Sequence, residues 1–231
     1  VHLTGTYDAT AKAIYLYVNG VRKDDGTILG PWQAKGGLQI GRGWQDGKAN
    51  GFWKGAVDDV RMYGGALAAD RVSALYRGYP AAEGSTTLPV ANKGRWKFDE
   101  NTGTAAGDSS GLGQTATLQG TAGWHTGRDG STGWFDGTAG YAETAGPVII
   151  NTGESFSVAA WAFLKEGTHY ATVFGQDAGR VSGFHVQYDH GSKTWGVVVP
   201  KADQNDPALH TVLSTEPAQV GGWSHLVMVY D

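Results

Sequence analysis

The sequence predicts an all-β fold, a two-sheet antiparallel sandwich with one short helix at about 67–77. Three observations carry that expectation. Apolar and polar residues alternate over short runs, which is the pattern of half-buried strands. Nine Trp, ten Tyr and seven Phe supply large rigid surfaces suited to pleated sheets. The 37 Gly in 231 residues, about twice the usual share, mark many tight turns between short elements.

Taken in order, AIYLYV (13–18) is a strand that ends at Asn19-Gly20, a strong two-residue hairpin signal. In LQIG (38–41), Leu38 and Ile40 share one face and Gln39 takes the other. KGAVDDVRMY (54–63) continues the alternation, placing Asp58 with Val60 and Met62 inward and Asp59 with Arg61 on the opposite face. LAADRVSALYRG (67–78) has helical spacing and closes on Gly78. Further strands are expected near 95–99, 115–118, 133–136, 140–143, 156–164, 171–175, 184–188, 194–199, 209–214 and 223–231.

VHLTGTYD (1–8) matches SHLVMVYD (224–231) at His, Leu, Tyr and Asp, with an offset of 223 residues from His2 to His225. A long internal period is the mark of a tandem array. The comparison aligns Leu3, Gly5 and Tyr7 with Leu226, Met228 and Tyr230, the expected inward face. Thr4 and Thr6 align with Val227 and Val229, and His2 and His225 lie outward as structural residues. Between the two ends, GYPAAEGSTTLPVANKG (78–94) has linker composition. The expected organisation is therefore a rear portion of a sandwich at 1–77, a linker at 78–94 and a front portion at 95–231, able to close into one sandwich within the chain or to pair between chains. Val1 falls inside an apparent strand, so the chain reads as part of a longer protein.

Charge and composition narrow the partners. A formal net charge of −4 with interspersed signs lacks the basic footprint that nucleic acid requires. No apolar run approaches the ~18 residues of a membrane span. With no Cys there is neither a disulfide framework nor thiol chemistry.

Several strings, in this order when the chain is read from 95 to 231 and then from 1 to 77, resemble the laminin-G-like (concanavalin A-like) jelly-roll domains of bacterial multidomain surface and secreted proteins. They are RWKFDENTGTAAGDSSGLGQTATLQG (95–120), WFDGTAGYAET (134–144), SFSVAAWAFL (155–164), GGWSHLVMVYD (221–231), KAIYLYVNGVR (12–22), GGLQIGRG (36–43) and AVDDVRMYGGALAADRVSALY (56–76). The resemblance implies a jelly roll whose two portions stand in permuted order. It also implies that the loop after the first strand neighbours the final strand. That would bring Asp99, Asn101 and Asp108 towards Asp58, a set of hard oxygen ligands suited to structural Ca²⁺. The competing reading is that these residues cap turns through Asx hydrogen bonds.

For a ligand surface, the candidates are Trp161, His185, Gln187, Tyr188 and Trp195, since flat rings hold sugar CH faces while adjacent polar groups orient them. Trp161 reads rather as core, because both faces of 156–164 are apolar; His185 and Gln187 read as an ordinary polar face. Trp32, Trp44 and Trp53 cluster in a loop-rich stretch, either as recognition anchors or as closure of the core edge. Catalysis is not expected. The six Glu fall almost entirely in turns or linkers, and the adjacent aspartates of DDV point to opposite faces rather than forming a hydrolytic pair. The expected function is a non-catalytic carbohydrate-binding or adhesive module of an extracellular protein, which would engage a glycan or cell-surface ligand. The alternative is a structural repeat that contacts neighbouring repeats or another copy of the chain, and a glycoside hydrolase is the remote third.

Overall fold

Alternating apolar residues condense into strands that form two antiparallel eight-stranded sheets and a small hairpin. The computed structural model describes residues 12–28, 30, 32–78, 91–146 and 148–230. The first part of the chain provides β1 (Ala13–Val18), β2 (Val21–Thr27), β3 (Leu38–Ile40), β4 (Gly43–Gln45), β5 (Lys48–Asn50), β6 (Lys54–Gly64) and the helix α1 (Ala69–Arg77). Next come β7 (Gly94–Trp96), β8 (Ala105–Ala106), β9 (Ala116–Gln119), β10 (Gly123–Thr126), β11 (Ser131–Asp136) and β12 (Tyr141–Thr144). The last third supplies β13 (Phe156–Leu164), β14 (Ala171–Asp177), β15 (Ser182–Asp189), β16 (Thr194–Pro200), β17 (Leu209–Pro217) and β18 (Trp223–Tyr230).

Sheet I has the order β10-β11-β6-β13-β18-β1-β2, with β7 also paired to β6. Sheet II has the order β17-β16-β15-β14-β3-β12-β9-β8. Strands from before and after 79–90 are thus interleaved: β6 lies between β11 and β13, β3 lies between β14 and β12, and β1 pairs with β18. Asn19 and Gly20 both have positive φ, 54° and 75°, as a tight hairpin between β1 and β2 requires.

The inner faces pack against each other. Phe156 of sheet I meets Phe184 of sheet II with ring centroids 4.8 Å apart. Val158, Ala160, Met62, Leu226 and Met228 face Val186, Trp195 and Val197 in one buried cluster. Burying side chains of this class stabilises the fold by about 1.5–3 kcal/mol each. The helix covers part of the outer face of sheet I, burying Val72 and Leu75 and setting Tyr76 6.3 Å from Trp161. It ends where Gly78, at φ 64°, turns its N–H back to Leu75 O.

Three sequence expectations change. Asp58 does not share the inner face with Val60 and Met62. A bulge at Asp59, φ 44°, inserts one extra residue opposite Ala160 and inverts the alternation, so Asp58 pairs in register with Trp161 on the outer face. On β18 both faces are buried, Val227 and Val229 as fully as Leu226 and Met228, because the strand is central and lies between β13 and β1. His225 stands on the outer face of that strand, as expected, and is buried there against Trp161. The linker expected at 78–94 stops short of 94: Ala91 is buried, Lys93 N–H donates to Met62 O, and Gly94 opens β7. His2, Leu3, Gly5 and Tyr7, and residues 79–90, lie outside the described residues.

Candidate functional site

Strand β15 presents His185, Gln187 and Asp189 away from the core, while Phe184, Val186 and Tyr188 point into it, as period-two geometry dictates. Across the sheet His185 is in register with Val198, which faces Thr211, and Gln187 is in register with Thr172 and Gly196. The absent side chain at Gly196 lowers the floor beside Gln187. A cavity of about 600 Å³ opens over this floor, within the range of small-ligand sites.

Two walls close it. The β4–β5 hairpin brings Trp44, Gln45 and Asn50, and the chain around 206–209 brings Asp206, Pro207 and Leu209; His169 and Tyr170 complete the rim. Asp206 N–H donates to Asp46 Oδ1 at 3.1 Å and ties the walls together. Arg42 is buried and ion-paired to Asp177 at 2.9 Å; its guanidinium also lies 5.2 Å from the Trp44 ring, so a salt bridge in the sandwich holds an aromatic of the cavity. Burial raises the Asp177 carboxyl above its ordinary range despite this pair. Trp44 N–H is fixed by Ser182 Oγ, and Tyr170 is half exposed.

Burial pushes His185 down to about 4, which keeps the imidazole neutral at ordinary pH, and its Nδ1 is buried without a hydrogen-bond partner. Asp189 Oδ1 accepts from the Ser192 N–H and hydroxyl, which fixes the carboxylate in place.

Of the five expected ligand residues, His185 and Gln187 line the cavity. Tyr188 and Trp195 do not: they face inward, and Trp195 packs against Trp53 with centroids 6.1 Å apart. Period-two alternation separates them from His185 and Gln187. Trp161 is on the other sheet, beneath Tyr76 of the helix and stacked by Arg128 at 3.6 Å. Of the loop tryptophans, Trp44 borders the cavity, Trp53 is core, and Trp32 donates to Pro200 O at 2.7 Å. The sequence signal for Trp44 lay in Asp46-Gly47, a hairpin dipeptide with φ of 53° and 73° that places Trp44 on a tight ribbon. Asp189 simply extends the His185, Gln187 alternation. Tyr170 and Asp206 come from irregular chain, where no periodicity signals them.

The expected metal set does not gather at one centre, and among the described residues no three His, Cys, Asp or Glu side chains could hold a metal ion. Asp108 accepts backbone N–H groups from Arg95, Ser110 and Gln114, an Asx cap. Asn101 is exposed, with φ 55°, in the irregular chain before β8. Asp58 and Asp99 both lie against the 127–130 turn: a β-carbon at Gly127 would fall 3.1 Å from Asp58 Oδ2, and one at Gly130 2.6 Å from Asp99 Oδ1. Burial, with the fields of Asp59 and Asp99, pushes Asp58 up to about 7. Asp59 is instead clamped by Arg61 and Arg95, whose charges outweigh its burial and hold it below the usual range.

Against known proteins, residues 1–73 and 136–231 match a laminin-G-type family model described as the Concanavalin A-like lectin/glucanases superfamily. No curated protein and no solved structure matches the chain.

Proposed function

The chain belongs to the Concanavalin A-like lectin/glucanases superfamily, and from that membership we propose that it is a non-catalytic carbohydrate-binding module of a larger extracellular protein. The observation that carries this reading is the cavity over β15. There the hydrogen-bonding groups of His185, Gln187, Asp189 and Asn50 face the aromatic rings of Trp44 and Tyr170. Rings that cover sugar CH faces beside polar groups that fix hydroxyl orientation are what a glycan site needs. The non-catalytic part of the proposal is supported by the glutamates: among the described residues none lines the cavity, and Glu143, Glu166 and Glu216 are engaged elsewhere by Gln119, Lys54 and Lys23, so the cavity's carboxylates are Asp189 and Asp206. The test is a glycan array probed with the wild-type chain and with Trp44→Ala. Binding that is lost in the variant supports the reading, and an array without any bound glycan overturns it.

The order of the two portions is part of the same proposal. The segment 1–77 is the rear and 95–231 the front of one sandwich in permuted order, and the pairing of β1 with β18 supports it. A second reading, a structural repeat that contacts neighbouring repeats or another copy of the chain, is favoured by the match between 1–8 and 224–231. A structural Ca²⁺ held in part by Asp58 and Asp99 completes the proposal. The ion would neutralise the buried Asp58 carboxylate together with that of Asp99, and its remaining oxygens would come from backbone carbonyls or water.

A further inference from the structure

The charges around the cavity are one-sided. Among the described residues its charged or imidazole lining is Asp189, Asp206, His169 and His185, with no Lys or Arg. Asp46 adds a third carboxylate where its Oδ1 receives the Asp206 N–H. The cations close by are Lys48 on β5, Arg180 in the turn before β15, whose guanidinium would lie 3.2 Å from a β-carbon at Gly47, and Arg42, buried behind Trp44 and paired to Asp177. None of them is among the residues that line the cavity.

We infer that the cavity selects glycans that carry free amino groups, chains of de-N-acetylated hexosamine, over acidic glycans. The inference rests on the glycan-binding reading and names its ligand class. Asp189 is pre-organised for the purpose. Its Oδ1 is held by Ser192, which leaves Oδ2 without a protein donor among the described residues. The Asp206 carboxylate, at the 206–209 wall, accepts no protein hydrogen bond among the described residues either. Asp189 stands at the far end of β15, opposite Thr194, so an amino-sugar chain laid along the strand can set one ammonium beside each carboxylate, where it gains charge-assisted hydrogen bonds. A uronate carboxylate at either place would meet a like charge. His185, neutral at ordinary pH, adds no positive charge.

The experiment is calorimetric titration of the full chain at mildly acidic pH, where sugar amines carry protons. The ligands are the hexamers of glucosamine, N-acetylglucosamine and galacturonic acid, each at low and high salt. The glucosamine hexamer is expected to bind roughly ten-fold tighter than its acetylated counterpart. That gap should close at high salt and in Asp189→Asn/Asp206→Asn, with Asp206→Asn alone as the milder variant should the double variant lose its fold. The galacturonate hexamer is expected not to bind. Equal affinity for the amine and acetylated forms, or preferred binding of the uronate, overturns the inference and leaves the glycan reading standing. So does array binding of neutral glycans at the cavity with no hexosamine bound. An array empty of glycans overturns the reading itself.

Discussion

Asp58 faces Trp161 in direct register across the β6–β13 pair, on the outer face of sheet I, and one bulged residue puts it there. Without the positive φ at Asp59, strict alternation would bury this carboxylate between the sheets beside Met62. The bulge converts that arrangement into a carboxylate under the 127–130 turn, where the backbone N–H groups of Asp59 and Arg128 still reach it. The same bulge frees Asp59 to bind Arg61 at 2.6 Å and Arg95 at 3.0 Å, which fastens β7 to β6.

Asp58→Asn should make the protein more stable at pH 8 in the presence of a chelator. The folded carboxyl titrates at about 7, raised from 3.8. Between those values the native state holds more protons than the unfolded chain, so this group's contribution is fully present below pH 3.8 and is lost as the pH rises through 7. Removing the charge should gain about 2 kcal/mol at pH 8 and nothing at pH 4. Chemical denaturation of both proteins at the two pH values checks it. Added Ca²⁺ should raise the wild-type melting temperature and leave the variant unchanged.

His185 gives a slope of the opposite sign. Burial lowers its folded value to about 4, so the unfolded state binds more protons between 4 and 6.5, and stability falls as the pH drops through that window. In His185→Gln this part of the decline should vanish, flattening the loss by about 1 kcal/mol, a figure discounted for the ring's partial opening to the cavity. Melting temperatures measured from pH 7 to pH 4 would show it; parallel curves for the two proteins contradict it.

Most of the sandwich was legible because its strands obey period two and its turns use recognisable dipeptides. Strand 156–164 and the helix closing on Gly78 follow directly from the residues. What alternation could not reveal was a break in itself. Asp59 carries the bulge without a glycine to announce it, so the face of Asp58 was misread. Burial of the outer face of β18 depends on contacts distant in sequence, such as the Trp161 ring against His225, which alternation along the strand does not signal. At the cavity, the alternation of His185 and Gln187 was visible. The walls were not, because Tyr170 and Asp206 meet them only through tertiary contacts.

Arg42 should matter for both stability and binding. Arg42→Met leaves Asp177 buried without its 2.9 Å partner and removes the cation beside Trp44. Loss of one member of a buried pair costs about 3–5 kcal/mol. The double variant Arg42→Met/Asp177→Leu should recover much of that stability without restoring the hold on Trp44, and so without restoring full glycan affinity. Denaturation and titration of the single and double variants separate the two effects.

The most direct test of the central claim is an amide-resolved NMR titration of the isotopically labelled chain with the tightest-binding glycan from the array. The cavity reading predicts shifts that cluster at Trp44, Thr172, His185, Gln187 and Thr211, with Trp161 and His225 unmoved. Shifts confined to Trp161, His225 and the helix over sheet I would contradict it.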